Sequence, residues 1–217
     1  DFIRFVQTNP SASLLSEQFD VNGFIKAQAA EIVIGAVDHY VRVANNYYLY
    51  FNPLTAKWIY MPNDFDFTFR DHHPLAWGTP EWAAAFRDIA GTYAFPENNK
   101  VDWAGRELGD VSPILWEIVF SDEENKNLLY EHIRFIIDNY FQWAQVSNKL
   151  YARNNLVRDA INHTDAALPG GCEVTYNPQA IDAIDSTNLC DEKDISISKF
   201  IELRIEALNE ELSNKGF

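Results

Sequence analysis

Basic residues are scarce in this chain. Seventeen Lys and Arg stand against 32 Asp and Glu over 217 residues, a formal net charge of −15. A field of that sign repels phosphate backbones and anionic lipid headgroups, which argues against nucleic acid or a bare membrane surface as a partner. Long apolar runs are missing too. No stretch reaches the roughly 18 residues that a membrane-crossing helix needs, and residues 1–20 lack the basic, apolar and small-residue order of a signal peptide, so no direct membrane span is expected. There are only two cysteines, Cys172 and Cys190, so one disulfide is the most the chain can form within itself. Neither a Gly-x-Ser-x-Gly elbow nor a His-Glu-x-x-His pair occurs, which removes the usual support for a hydrolase or a zinc protease. Internal repeats, low-complexity tracts and long linkers are also absent, leaving a single domain over residues 1–217 as the default.

What the chain has is apolar and aromatic mass. Hydrophobic residues make up 47% and aromatics 14%, with fifteen Phe, ten Tyr and six Trp, far from the composition of a disordered chain. It opens at Asp1 without Met, already in helical apolar rhythm at Phe2, Ile3, Phe5 and Val6. We read this as a cut or processed end inside a longer protein. Cys172 and Cys190 flank a loop rich in Pro, Asn and Asp. In an oxidising compartment they are expected to close it, a constraint worth about 3 kcal/mol in the chain-entropy model. The sequon Asn162-His163-Thr164 lies just upstream. Together these features favour a secreted or cell-surface protein, with Asn162 glycosylated.

The apolar spacing predicts a mostly helical α+β domain. A helix is expected from Phe2 to about Thr8, ended by Asn9-Pro10, then a short helix, a capping stretch at residues 20–22 and a long helix from Gly23 to about Val37. That long helix is apolar nearly all round, marking it as the buried centre, and it carries the chain to Asp38. "YYLYF" at 47–51 and "KWIYM" at 57–61, separated by "NPLTA", predict a β-hairpin with a five-residue connection. Residues 70–112 read as a long structured loop with one short helix near Glu81 to Ile89. Strong helical pattern returns from Pro113 to about Val157, with Ser121-Asp122 as a start signal inside it. A last amphipathic helix is expected from Ser196 to about Ser213.

"YMPNDFDFTFRD" at 60–71 sets Asp64 and Asp66 one residue apart in an aromatic run. On a strand, residues i and i+2 share a face, so two such carboxylates are costly unless a cation or hydrogen-bond donors compensate. A hairpin returns the chain to its start, which should bring Asn45 and Asn46 near Asp64, close to where Asp38 emerges. Carboxylate and amide oxygens suit Mg²⁺ or Mn²⁺ and leave positions for phosphate oxygens, so the cluster suits a metal–nucleotide complex. Ordinary turn and cap chemistry at a hairpin end is the other reading of the same residues. His39 reads as packing or surface sooner than as a tuning group. His72-His73 fall in a loop without further zinc ligands at suitable spacing.

The segment "FDVNGFIKAQAAEIVIGAVDHYVRVANNYYLYFNPLTAKWIYMPNDFDFTF" resembles the centre of the spore coat protein H (CotH) kinases. "SPILWEIVFSDEENKNLLYEHIRFIIDNYF" and "SKFIELRIEALNEEL" are similar to the helices that follow in that family. The resemblance implies an atypical protein-kinase-like fold, here its C-terminal helical lobe with an inserted hairpin, that transfers the ATP γ-phosphoryl group to a protein hydroxyl. It implies Asp38 as the residue that orients or deprotonates the acceptor, Asn46 or Asn45 as the metal-binding Asn, Asp64 as the Asp holding the metals, and Asp66 as a second acidic ligand or orienting residue. Departures are visible. Asp38 to Asn46 is 46 − 38 = 8 residues, against roughly five in ordinary protein kinases. Asn63 stands where the family often has Trp. No glycine-rich loop followed by a strand Lys is present, so the nucleotide-covering lobe is expected upstream of Asp1, and these 217 residues alone are expected to turn over ATP weakly or not at all. A surface binding protein or adhesin on the same scaffold is the rival reading, and a calcium-stabilised module a third.

Overall fold

A computed structural model describes residues 2–36, 39–43, 45–65, 68–69, 113–162 and 197–217. Among these residues the fold is α+β and mostly helical, with eight helices and one two-stranded antiparallel sheet. In chain order the elements are α1 (Phe2–Gln7), α2 (Ala12–Gln18), α3 (Val21–Ile34), α4 (Tyr40–Val43), β1 (Tyr47–Asn52), β2 (Lys57–Pro62), α5 (Ile114–Val119), α6 (Glu123–Asn139), α7 (Trp143–Asn162) and α8 (Ile197–Asn214).

The centre is α3 packed against α6. Ile25, Ala29 and Val33 on α3, and Leu129, Ile133 and Ile137 on α6, are all essentially withdrawn from water. Each buried Ile or Leu contributes about 1.5–3 kcal/mol of transfer free energy, so this seam holds the elements that frame the site. Both helices are started by aspartates. The Asp20 carboxylate accepts from Gly23 N at 3.0 Å, and the Asp122 carboxylate accepts from Glu124 N at 2.8 Å, satisfying donors that a helix start leaves unpaired.

The hairpin seats on α3 through its aromatic inner face. Tyr47, Leu49 and Phe51 of β1 face Pro62, Tyr60 and Trp58 of β2. Tyr60 meets Phe24 of α3 edge-on at 5.2 Å and stacks with Tyr47 at 5.6 Å. Trp58 O accepts from Asp20 N at 2.8 Å, pinning β2 to the junction between α2 and α3. The connection is four residues, Pro53 to Ala56, one fewer than the sequence pattern predicts. Asn52 pairs with Lys57 and extends the ladder, and its side chain accepts from Leu54 N at 3.0 Å to form the turn.

Three other boundaries differ from expectation. Helix α3 starts at Val21 and stops at Ile34, about three residues short of Val37, because Gly35 takes a left-handed backbone (φ 66°) and Ala36 N closes back on Glu31 O at 2.9 Å. The long pattern from Pro113 onward divides into three helices. Between α6 and α7 the chain breaks at residues 140–142, where Phe141 turns into the core and stacks on Phe69 at 6.1 Å. Helix α5 begins after Pro113, which supplies no side-chain cap; the hydroxyl of Tyr40 accepts from Leu115 N at 2.9 Å instead. The expected helix near Glu81, the 70–112 loop and the Cys172–Cys190 pair lie outside the described residues. Asn162 is the last residue of α7. No helix among the described residues is long and apolar enough to cross a membrane.

Candidate functional site

The end of α3, the start of β1 and the exit from β2 meet at one corner. β-Pairing sets Tyr47 opposite Pro62, and one residue further out Asn63 N donates to Asn46 O at 2.8 Å. Asn46 and Asp64 therefore sit at the same hairpin end. Both have left-handed backbones, φ 54° and 58°, a conformation that Asn and Asp tolerate better than most side chains. On the other side, the His39 ring bonds Asp64 O at 2.9 Å. A carbonyl only accepts, so Nε2 carries the proton. Four residues beyond Phe65, Phe69 N donates to Ile34 O at 3.1 Å, returning the chain to the C-terminus of α3.

The burial of Asp64 differs from the expectation for a carboxylate facing inward from an aromatic strand. β2 ends at Pro62 and Asp64 is exposed, so its charge needs no compensation for burial and is open to solvent. Asn45 is exposed and Asn46 half-buried. Asp38 and Asp66 lie outside the described residues, although their neighbours His39 and Phe65 are in contact, with ring centroids 4.6 Å apart. Among the described residues no group of three His, Cys, Asp or Glu side chains is arranged to hold a metal ion. The Asp64 carboxylate and the Asn46 amide, on residues at the same hairpin end, offer hard oxygens whose chemistry fits Mg²⁺ or Mn²⁺.

Behind this corner lies a buried polar cluster that the sequence pattern does not single out. Glu31 is 5% exposed in the middle of α3. Its carboxylate accepts from Tyr60 OH at 2.9 Å and from Gln28 Nε2 at 3.1 Å. Burial and the adjacent Glu31 charge push the Tyr60 hydroxyl well above the usual tyrosine range, so it stays protonated and donates. Glu31 Oε1 also stands 3.5 Å from His39 Nδ1, and His39 is 1% exposed. The available signal was the Gln28/Glu31 pair, three residues apart on a helix that is apolar nearly all round.

Neither the curated proteins nor the solved structures searched contain a match to the chain. The family model described as CotH kinase protein matches residues 1–208, almost the whole length, and the chain belongs to the CotH kinase family.

Proposed function

We propose that this chain is the helical lobe of a CotH-type atypical protein kinase that transfers the γ-phosphoryl group of ATP to a Ser or Thr hydroxyl of a protein. Family membership suggests kinase-like chemistry. The observation that carries the finer reading is the hydrogen-bonded corner in which Asn46 and the solvent-open carboxylate of Asp64 share one hairpin end, with His39, the neighbour of Asp38, bonded to Asp64. In this reading Asp64 and Asn46 hold Mg²⁺ or Mn²⁺, with Asn45 as the alternative amide and Asp66 as a second acidic group. Asp38 orients the acceptor hydroxyl or takes its proton. The bound cation supplies charge neutralisation to the phosphate oxygens. Phosphoryl transfer depends chiefly on positioning and charge stabilisation, which suits a site built from a helix end and a ribbon fixed on one core. The sequence holds no glycine-rich loop with a strand Lys, so the nucleotide-covering lobe is proposed to come from sequence outside these 217 residues. A secreted or surface location, with the Cys172–Cys190 bridge and a glycan on Asn162, belongs to the same proposal.

A binding protein on this scaffold is the second reading, drawn from the outer hairpin face, where Tyr48, Tyr50 and Met61 are exposed. The two separate on one experiment: Mn²⁺–ATP titration and phosphorylation by the full-length protein, compared with Asp64→Ala. The kinase reading expects transfer to fall by about 100-fold or more, with weakened nucleotide binding. Unchanged affinity and transfer would favour the binding protein.

A further inference from the structure

We infer that Glu31 and His39 form a positioning relay that fixes the Asp64 backbone, and with it the direction in which the Asp64 carboxylate meets a divalent cation. This rests on the reading of Asp64 as a metal ligand. Asp64 follows the end of the β2 ladder, and its left-handed backbone (φ 58°), though tolerated by Asp, is sparsely populated and is set by the contacts around it. The side-chain hydrogen bond that reaches its backbone comes from His39, at 2.9 Å on Asp64 O. His39 could serve that purpose only if its ring were held in turn, and its other nitrogen stands 3.5 Å from Glu31 Oε1, an ion-pair distance for the protonated ring rather than a hydrogen bond.

Glu31 is a fixed point. It projects from the central helix, and its two oxygens are occupied by Tyr60 of β2 and Gln28 of α3. The line from Glu31 through His39 to Asp64 O therefore joins the buried core to an exposed ligand. Tyr60 joins the same carboxylate to the strand that leads into Asp64. Phe65 packs on the His39 ring from the next position along the chain, with centroids 4.6 Å apart, so the ring is held by its face as well as by the Nε2 hydrogen bond. A buried carboxylate and a buried imidazole are expensive in a helical core that an apolar pair would fill. Outer partners that orient metal ligands are a recurrent reason for such a pair, and changing them typically weakens metal binding by about 10–100-fold.

The test is Mn²⁺ binding to the full chain without nucleotide, followed by the electron paramagnetic resonance of free Mn²⁺ well below the melting temperature, with circular dichroism confirming the fold. Asp64→Ala is the control for the reading beneath, and loss of binding there is required. Glu31→Gln keeps an acceptor for Tyr60, and Gln28 can turn its amide oxygen toward the new side chain, so this variant removes the charge with little change of shape. We expect Glu31→Gln and His39→Leu each to weaken Mn²⁺ binding about 10-fold, and the double variant to be no worse than the poorer single one, since the two act in series. His39→Gln retains an N–H donor and should recover most of the loss, which a purely packing role would not produce. Wild-type affinity in folded Glu31→Gln and His39→Leu, with binding lost in Asp64→Ala, overturns the relay and leaves the Asp64 assignment standing. Wild-type affinity in Asp64→Ala overturns both. If His39→Leu does not fold, the Glu31→Gln affinity decides alone.

Discussion

Gly35 shows how a single residue sets the approach to the site. Its φ of 66° ends α3, and a Cβ built there would lie 2.8 Å from the Phe200 ring of α8. An alanine would meet two penalties, the left-handed backbone at about 1–2 kcal/mol and displacement of a packed ring at about 1–3 kcal/mol. We expect Gly35→Ala to destabilise the fold by about 2–5 kcal/mol, read as a lowered urea midpoint with unchanged slope. Phe200→Leu in the same background should return part of the loss by opening space, while the backbone part remains. Residue-scale chemistry of this kind also explains Asp64. Its exposure follows from β2 ending at Pro62, whereas the alternation of "YMPNDFDF" reads as though the strand continued.

At the scale of elements, the C-terminus of α3 is held by a residue distant in sequence. Arg204 of α8, itself buried, donates to Ile32 O through Nε at 3.0 Å and also through Nη2. A cation at a helix C-terminus complements the partial negative charge of its unpaired carbonyls, and hydrogen bonds involving a charged partner contribute about 1.5–3 kcal/mol. Arg204→Met should therefore cost about 2–3 kcal/mol, and amide exchange should accelerate first near Gly35 and Ala36. Acceleration spread evenly over α3 and α6 would contradict that local role. The start signals at Asp20 and Asp122 and the hairpin were legible in the sequence because caps and alternation act over a few residues. What was hidden depends on distant partners. Arg204 on Ile32, Tyr40 on Leu115, Phe141 against Phe69 and Tyr60 on Glu31 each join residues far apart in the chain, and no local spacing announces them. Of the candidate site, the meeting of Asn46 and Asp64 followed from hairpin geometry, but the Glu31–His39 pair behind them did not, since a His beside an Asp and a Glu in an apolar helix carry no shared local pattern.

For the whole molecule, the aromatic cluster between hairpin and α3 ties folding to alkaline pH. Burial pushes the hydroxyls of Tyr40 and Tyr60 well above their ordinary value, and that of Tyr47 upward as well. Tyr60 is raised further by the Glu31 carboxylate it bonds. The folded chain thus keeps protons that the unfolded chain releases above about pH 10. With more protons bound in the folded state, stability falls as pH rises, so this contribution is intact below about pH 10 and is lost above it. Each fully buried tyrosine steepens the loss by about 1.4 kcal/mol per pH unit, so Tyr40 and Tyr60 together give about 2.8 kcal/mol per unit. The formal net charge of −15 adds general repulsion in the same direction, but salt separates the two effects. Raising NaCl shortens the screening length and relieves repulsion among exposed charges, while leaving the desolvation of a buried phenolate in place. Urea midpoints from pH 7 to 11 should therefore stay level to about pH 10 and then drop steeply even at high salt. Tyr60→Phe should be less stable than wild type at pH 7, having lost the donor to Glu31, and should close that gap as the pH climbs. Parallel curves for the two proteins above pH 10 would mean that Tyr60 is not the group whose proton the folded state retains.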